Sequence, residues 1–176
     1  MTGSGIRLEL AGIEVSNLVQ LIDQFLTLLQ GAEIGEDPAL ARLTPAVYPD
    51  DAEASAEFAA ATGEDLLDRR AADARVVRAT LAGATDDASG PDRPVALVVA
   101  GSELDAWLRT LAALRLVIAS RLGLDDSAEP DPADSRHGVY DWLGYRLDVL
   151  IEAADDLDDA DGGHAAEDTT GGSAPA

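Results

Sequence analysis

Four stretches of this chain repeat their apolar side chains at steps of three and four, and that period, more than any other feature, restricts the fold to packed helices. From Val15 the positions Leu18, Ile22, Phe25 and Leu29 keep the step, and Val19, Leu21, Leu26 and Leu28 widen the stripe, so this helix is expected to be largely buried. A second helix is predicted over residues 64–82 on Leu67, Ala74, Val77 and Leu81. A third covers 104–122 on Trp107, Leu111, Leu114 and Ile118, and a fourth covers 137–153 on Val139, Leu143, Leu147 and Leu150. Gly31 and Gly123 are their natural stops. Asp50, Asp51 and Glu53 favour a helix start, giving a fifth over 51–61 that Thr62 and Gly63 separate from the next.

Two short segments break this period. Residues 6–10 alternate apolar and charged side chains before Ala11 and Gly12, which reads as a strand and turn. Residues 95–99 are a continuous apolar run, consistent with a covered strand, and Ser102 reads as the cap of the helix after it. Residues 6–25 and 95–114 share one order: strand, Ala-Gly, one residue, Glu, broad apolar helix. That is a weak internal repeat, and its two strands are expected to pair. Loops are expected from Gly31 through Asp37, Pro38 and Pro49, over 85–93, and over 125–135. The expected fold is therefore mainly α: a bundle of about five helices in one domain, residues 1–154, with a two-stranded β ribbon lying over it. Residues 155–176, rich in Asp, Gly, Ala and Thr, are expected to form a disordered acidic tail.

Charge bears directly on function. All twelve basic residues are Arg, against 34 acids, for a formal charge of −22. Removing the seven acids from residue 155 onward still leaves 27 against twelve, about −15, so the acidity belongs to the domain. Affinity for DNA rests on cations that displace counterions, and no tight autonomous DNA binding is expected. The absence of cysteine excludes disulfides, thiolate nucleophiles and cysteine metal sites. No basic, apolar leader opens the sequence and no run is apolar enough to span a membrane, so the expected address is cytoplasmic.

Constellations that carry chemistry are weak. Asp50, Glu53 and Glu57 share a helical face that suits Mg²⁺, yet helix-start acids do the same without metal. His137 stands near Asp141, an arrangement more often structural than catalytic. An EF-hand alignment ending at Gly162 and Asp168 fails, because Leu157 occupies its first ligand position and Asp168 its last. No catalytic residue, cofactor or metal is therefore assigned. Arg109, Arg115 and Arg121 recur every six residues, rotating by about 120° each time, and make no single anion-binding face. With Tyr140 and Tyr145 they are the candidate interaction residues; Trp107 and Trp142 are expected in the core.

Tyr140, Asp141, Trp142, Leu143, Gly144 and Tyr145, after Ser120, Arg121, Leu122 and Gly123, resemble an actinobacterial family long described as a domain of unknown function. Asp37-Pro38, Arg42-Leu43, Pro45, Tyr48, Asp50-Asp51, Glu53, Glu57-Phe58, Thr62, Leu66 and Arg69 agree in order, and the resemblance covers about residues 6–153. The family is labelled an oxidative-stress transcriptional regulator (AosR-like) and is usually encoded beside the ClpS protease adaptor. The resemblance implies a helical regulator that senses oxidant through a cysteine pair and acts with RNA polymerase or a stress sigma factor. This chain departs from it, having no cysteine and carrying Ala112 and Ala113 where the pattern implies Asn-Asp. The expected function is a non-enzymatic, transcription-linked regulator acting by protein contact, without cysteine redox sensing. A ClpS-linked proteolysis factor is the alternative, and an enzyme built on the acids near Asp50 or on His137 is a third.

Overall fold

The computed structural model describes residues 5–31, 37–44, 50–85, 93–124 and 135–167. Residues 86–92 and 125–134 of the expected loops, the Pro45-to-Pro49 segment and residues 168–176 of the expected tail lie outside these. The described elements are β1 (Gly5–Ala11), α1 (Gly12–Gly31), α2 (Pro38–Leu43), α3 (Ala52–Thr85), β2 (Pro94–Ala100), α4 (Gly101–Leu122) and α5 (Ser135–Glu167). The chain is mainly helical, with one antiparallel two-stranded ribbon.

The ribbon forms because both strands present one apolar row. Ile6, Leu8 and Leu10 face inward with Val95, Leu97 and Val99, in a register that sets Leu8 opposite Leu97. Under them, α4 packs against α5, α3 and α2, while α1 lies on α3. Trp107, Leu111 and Leu114 of α4 meet Leu18, Ile22 and Phe25 of α1 and Val77 and Leu81 of α3 in one buried cluster. Fully burying each such side chain contributes about 1.5–3 kcal/mol, so this cluster carries most of the stability.

Several boundaries differ from those read in the sequence. β2 is covered on one face only: Val98 is 62% exposed, so the continuous apolar run does not mark a doubly buried strand. Asp37 and Pro38 open a helix instead of a loop. The Asp37 carboxylate accepts from the Ala39 amide at 2.8 Å and Pro38 supplies the first-turn φ, a start signal of just these two residues. The two helices expected around Thr62 and Gly63 are one. The Thr62 hydroxyl donates to the Phe58 carbonyl at 2.8 Å inside the helix, and an isolated Gly costs only about 1 kcal/mol without breaking the ladder. Ser102 is not the cap of α4; Ala100 holds that position, with no side-chain cap bond.

The last helix runs past the expected end at residue 153 to Glu167. Leu157 explains the continuation, since it prolongs the row of Leu143 and Leu150 at steps of seven and packs on the same cluster. Gly123 ends α4 as expected, at φ 65°, with its amide returned to the carbonyls of Ala119 and Ser120. A Cβ is disfavoured there, so Gly123→Ala should lower the unfolding free energy by about 1–2 kcal/mol in urea titrations, with no loss of helical circular dichroism.

Candidate functional site

The three arginines of α4 go to three different elements. Arg109 binds Asp105 on its own helix at 2.8 Å and reaches Asp73 of α3 at 3.8 Å. Asp73 thus answers an arginine of α4. Arg115 lies over the Tyr140 ring of α5, 4.4 Å from its centre. It also fills the space beside Gly144, where a Cβ would sit 3.1 Å from the guanidinium. Arg121 binds Asp37, the cap of α2, at 2.5 Å. That hydrogen bond is the main influence holding the Asp37 carboxyl below its ordinary pKa, and with the Ala39 amide it outweighs desolvation. These arginines fasten α4 to α3, α5 and α2, and they do not converge. Tyr140 is half-buried under Arg115, whereas Tyr145 is 60% exposed.

The other candidates stand apart. Asp51 caps α3 through the Ala54 amide at 3.0 Å, and Glu53 and Glu57 are exposed. Among the described residues no three acidic, His or Cys side chains gather as a metal group. Both ring nitrogens of His137 are buried without a hydrogen-bond partner among the described residues, while Asp141 is exposed. Trp107 is in the core, as expected, but Trp142 is only half-buried and has a polar task.

That task belongs to a cluster not singled out in the sequence. Glu14 is the third residue of α1, and its carboxylate accepts from the Ala11 amide at 2.7 Å, the return half of a capping box. The same carboxylate accepts from the Trp142 indole at 2.6 Å and from Arg146 at 2.8 and 3.0 Å. Arg146 also reaches the Glu9 carbonyl at 3.4 Å and lies over the rings of both Trp142 and Tyr145. Burial, the largest single influence on Glu14, pushes its pKa up. The hydrogen bonds from Arg146, the Ala11 amide and Trp142, with the charge of Arg146, together outweigh it and hold the carboxyl below its ordinary range. Each half has a local sequence signal, a Glu three positions after the end of a strand and an Arg four after a Trp, but neither points to the other.

Beside this cluster a groove opens between α1 and α5. Its first part, about 480 Å³, is lined by Glu14, Asn17, Gln20 and Gln24 on one wall and by Gly138, Val139 and Trp142 on the other. Its second part, about 360 Å³, continues over Phe25, Leu28, Leu114, Val117 and Ile118 to Arg121. Leu21, Gln24 and Val139 border both parts, which makes them continuous. From Glu14 to Leu28 the wall is about 21 Å long at ~1.5 Å per residue. The floor is apolar and the α1 rim carries the amides of Asn17, Gln20 and Gln24, while the charges that line it, Glu14 and Arg121, are joined to Arg146 and Asp37.

The sequence model of a family described as a domain of unknown function (DUF2017) matches residues 1–154. Neither the curated proteins nor the solved structures give a match.

The depressed pKa of Glu14 sets a pH dependence. A carboxyl whose folded pKa lies below its unfolded value contributes stability that is fully present above the unfolded pKa and is lost as pH falls through the folded one. Glu14→Gln keeps the shape and loses the charge, and should destabilise by about 1.5–3 kcal/mol at pH 7. The gap between wild type and variant should close as pH drops below the ordinary carboxyl value of 4.5. Comparing the two chains in urea unfolding across pH cancels the relief of acidic self-repulsion that both share.

Proposed function

We propose that this chain, which belongs to the DUF2017 family, is a transcription-linked regulator that works by protein contact through the groove between α1 and α5. The groove carries the reading. It is elongated, open to the surface, apolar at the base and rimmed by Asn17, Gln20 and Gln24, the form that receives the apolar face of an amphipathic helix. Its length suits about fourteen residues of helix. At −22 the chain favours a helix with a basic outer face. The link to transcription comes from the resemblance to oxidative-stress regulators, and the occupant it implies is a helix of RNA polymerase or of a stress sigma factor. Arg109, Arg115 and Arg121 are held by acids or an aromatic ring inside the fold, which favours action through such a partner over direct contact with DNA.

The test is retention of purified RNA polymerase and sigma factor on the immobilised chain, against Gln24→Trp, which fills the shared middle of the groove from an exposed position. The wild-type chain should retain one of the two, the variant should bind about tenfold more weakly, and neither chain alone should bind duplex DNA at physiological salt. Tight DNA binding by the lone protein, or retention of neither transcription component, would sink the reading.

A further inference from the structure

The hydrogen-bond parity of the ribbon identifies a second contact surface, separate from the groove. The Gly12 amide donates to the Arg93 carbonyl at 3.0 Å, so the pair one step beyond the ribbon is a hydrogen-bonded one. Hydrogen-bonded and non-bonded pairs alternate along an antiparallel ladder. The bonded pairs are therefore Leu10 with Val95, Leu8 with Leu97, and Ile6 with Val99. The remaining residues turn their backbone groups outward.

On β1 part of this outer edge is closed. The Ala11 amide goes to Glu14 and the Glu9 carbonyl to Arg146, both at outward positions, as the parity requires. On β2 the outward groups are the Pro94 carbonyl, both groups of Ala96, both groups of Val98 and the Ala100 amide. Among the described residues nothing bonds to Ala96 or Val98 beyond the ladder. Beside this open edge Val98 is 62% exposed, more than the other large apolar side chains among the described residues.

We propose that the β2 edge pairs with the β2 edge of a second copy of this chain, antiparallel across a twofold axis at Leu97, giving a four-stranded sheet. The edge is complementary to itself. With Leu97 on the axis, Ala96 lies opposite Val98 of the second copy, and the two exchange both bonds. The Ala100 amide then meets the Pro94 carbonyl of the second copy. The two groups that would otherwise be left over are already accounted for: Pro94 has no N–H, and the Ala100 carbonyl caps α4 and takes its first helical bond. Every outward donor meets an outward acceptor, and Val98 comes to rest beside Ala96 of the second copy. A closed isologous contact is what twofold symmetry makes from such an edge. β2 carries no charged residue, so the strand itself raises no repulsion. The repulsion comes from the −22 on each body, which salt screens, and association should therefore strengthen as salt rises.

The experiment combines sedimentation with residue-resolved amide exchange on the full chain. Wild type should shift from its 18.2 kDa mass toward twice that value with rising concentration, at least tenfold more readily in 0.5 M than in 0.05 M NaCl. In the dimer the Ala96, Val98 and Ala100 amides should become protected, while Val95, Leu97 and Val99 are protected in either state. Ala96→Pro removes an outward amide without touching the ladder to β1, and Val98→Lys puts a charge on the edge. Each should leave the chain monomeric with unchanged circular dichroism. A monomer under all these conditions, a dimer in which Ala96 and Val98 exchange freely, or a dimer that persists in a folded edge variant would each overturn the proposal.

Discussion

Both strands of the ribbon run into their helices without an intervening residue, Ala11 into Gly12 and Ala100 into Gly101, and the placement of everything else follows from that. The register fixes where α1 and α4 begin, at opposite ends of the ribbon, and a slip of one residue would turn the row of Leu8 or the row of Leu97 out to water. Glu14 stands at the first junction. One carboxylate closes the start of α1 through the Ala11 amide and, through Arg146 and Trp142, holds α5 against the same point. The separation of α1 from α5, and with it the width of the groove, is set by that clamp and by α4 beneath. The equivalent acid of the second unit, Glu103, instead receives the Thr80 hydroxyl of α3 at 3.3 Å. Two units of the same strand-helix form thus tie down different neighbours, α5 in one case and α3 in the other.

The fold was legible where a single period decided it. The stripes of Leu18, Ile22 and Phe25, of Ala74, Val77 and Leu81, and of Leu143 and Leu150 are buried as their spacing demands. What stayed hidden depended on local chemistry or on distance. Helix α2 rests on one cap and one proline, and its six residues are too few to show a period. Thr62 and Gly63 look like a break because propensity is local, whereas packing along the rest of α3 acts over the whole helix. Leu157 stands among acids, and its fellows, Leu150 and Leu143, are seven and fourteen positions away. The site was harder still. Glu14 and Arg146 are 132 positions apart, and nothing in either neighbourhood says that they meet.

Charge connects the two proposed surfaces. The arginines act as cross-links: Arg78 to Asp23, Arg121 to Asp37, Arg146 to Glu14, and Arg70 to the Leu43 carbonyl each join two elements. Twelve Arg cannot balance 34 acids, so the groove and the β2 edge lie in the same negative field. Salt moves their occupancy in opposite directions, weakening a basic helix in the groove and strengthening contact between two like-charged copies. On the two proposals together, a basic partner does more than fill the groove. By lowering the charge on each body it removes part of the repulsion that opposes pairing at Leu97, and linkage requires pairing to favour the partner by the same factor. On these two proposals, partner binding and self-association reinforce one another without any change of shape, through the acidity that was first apparent in the composition.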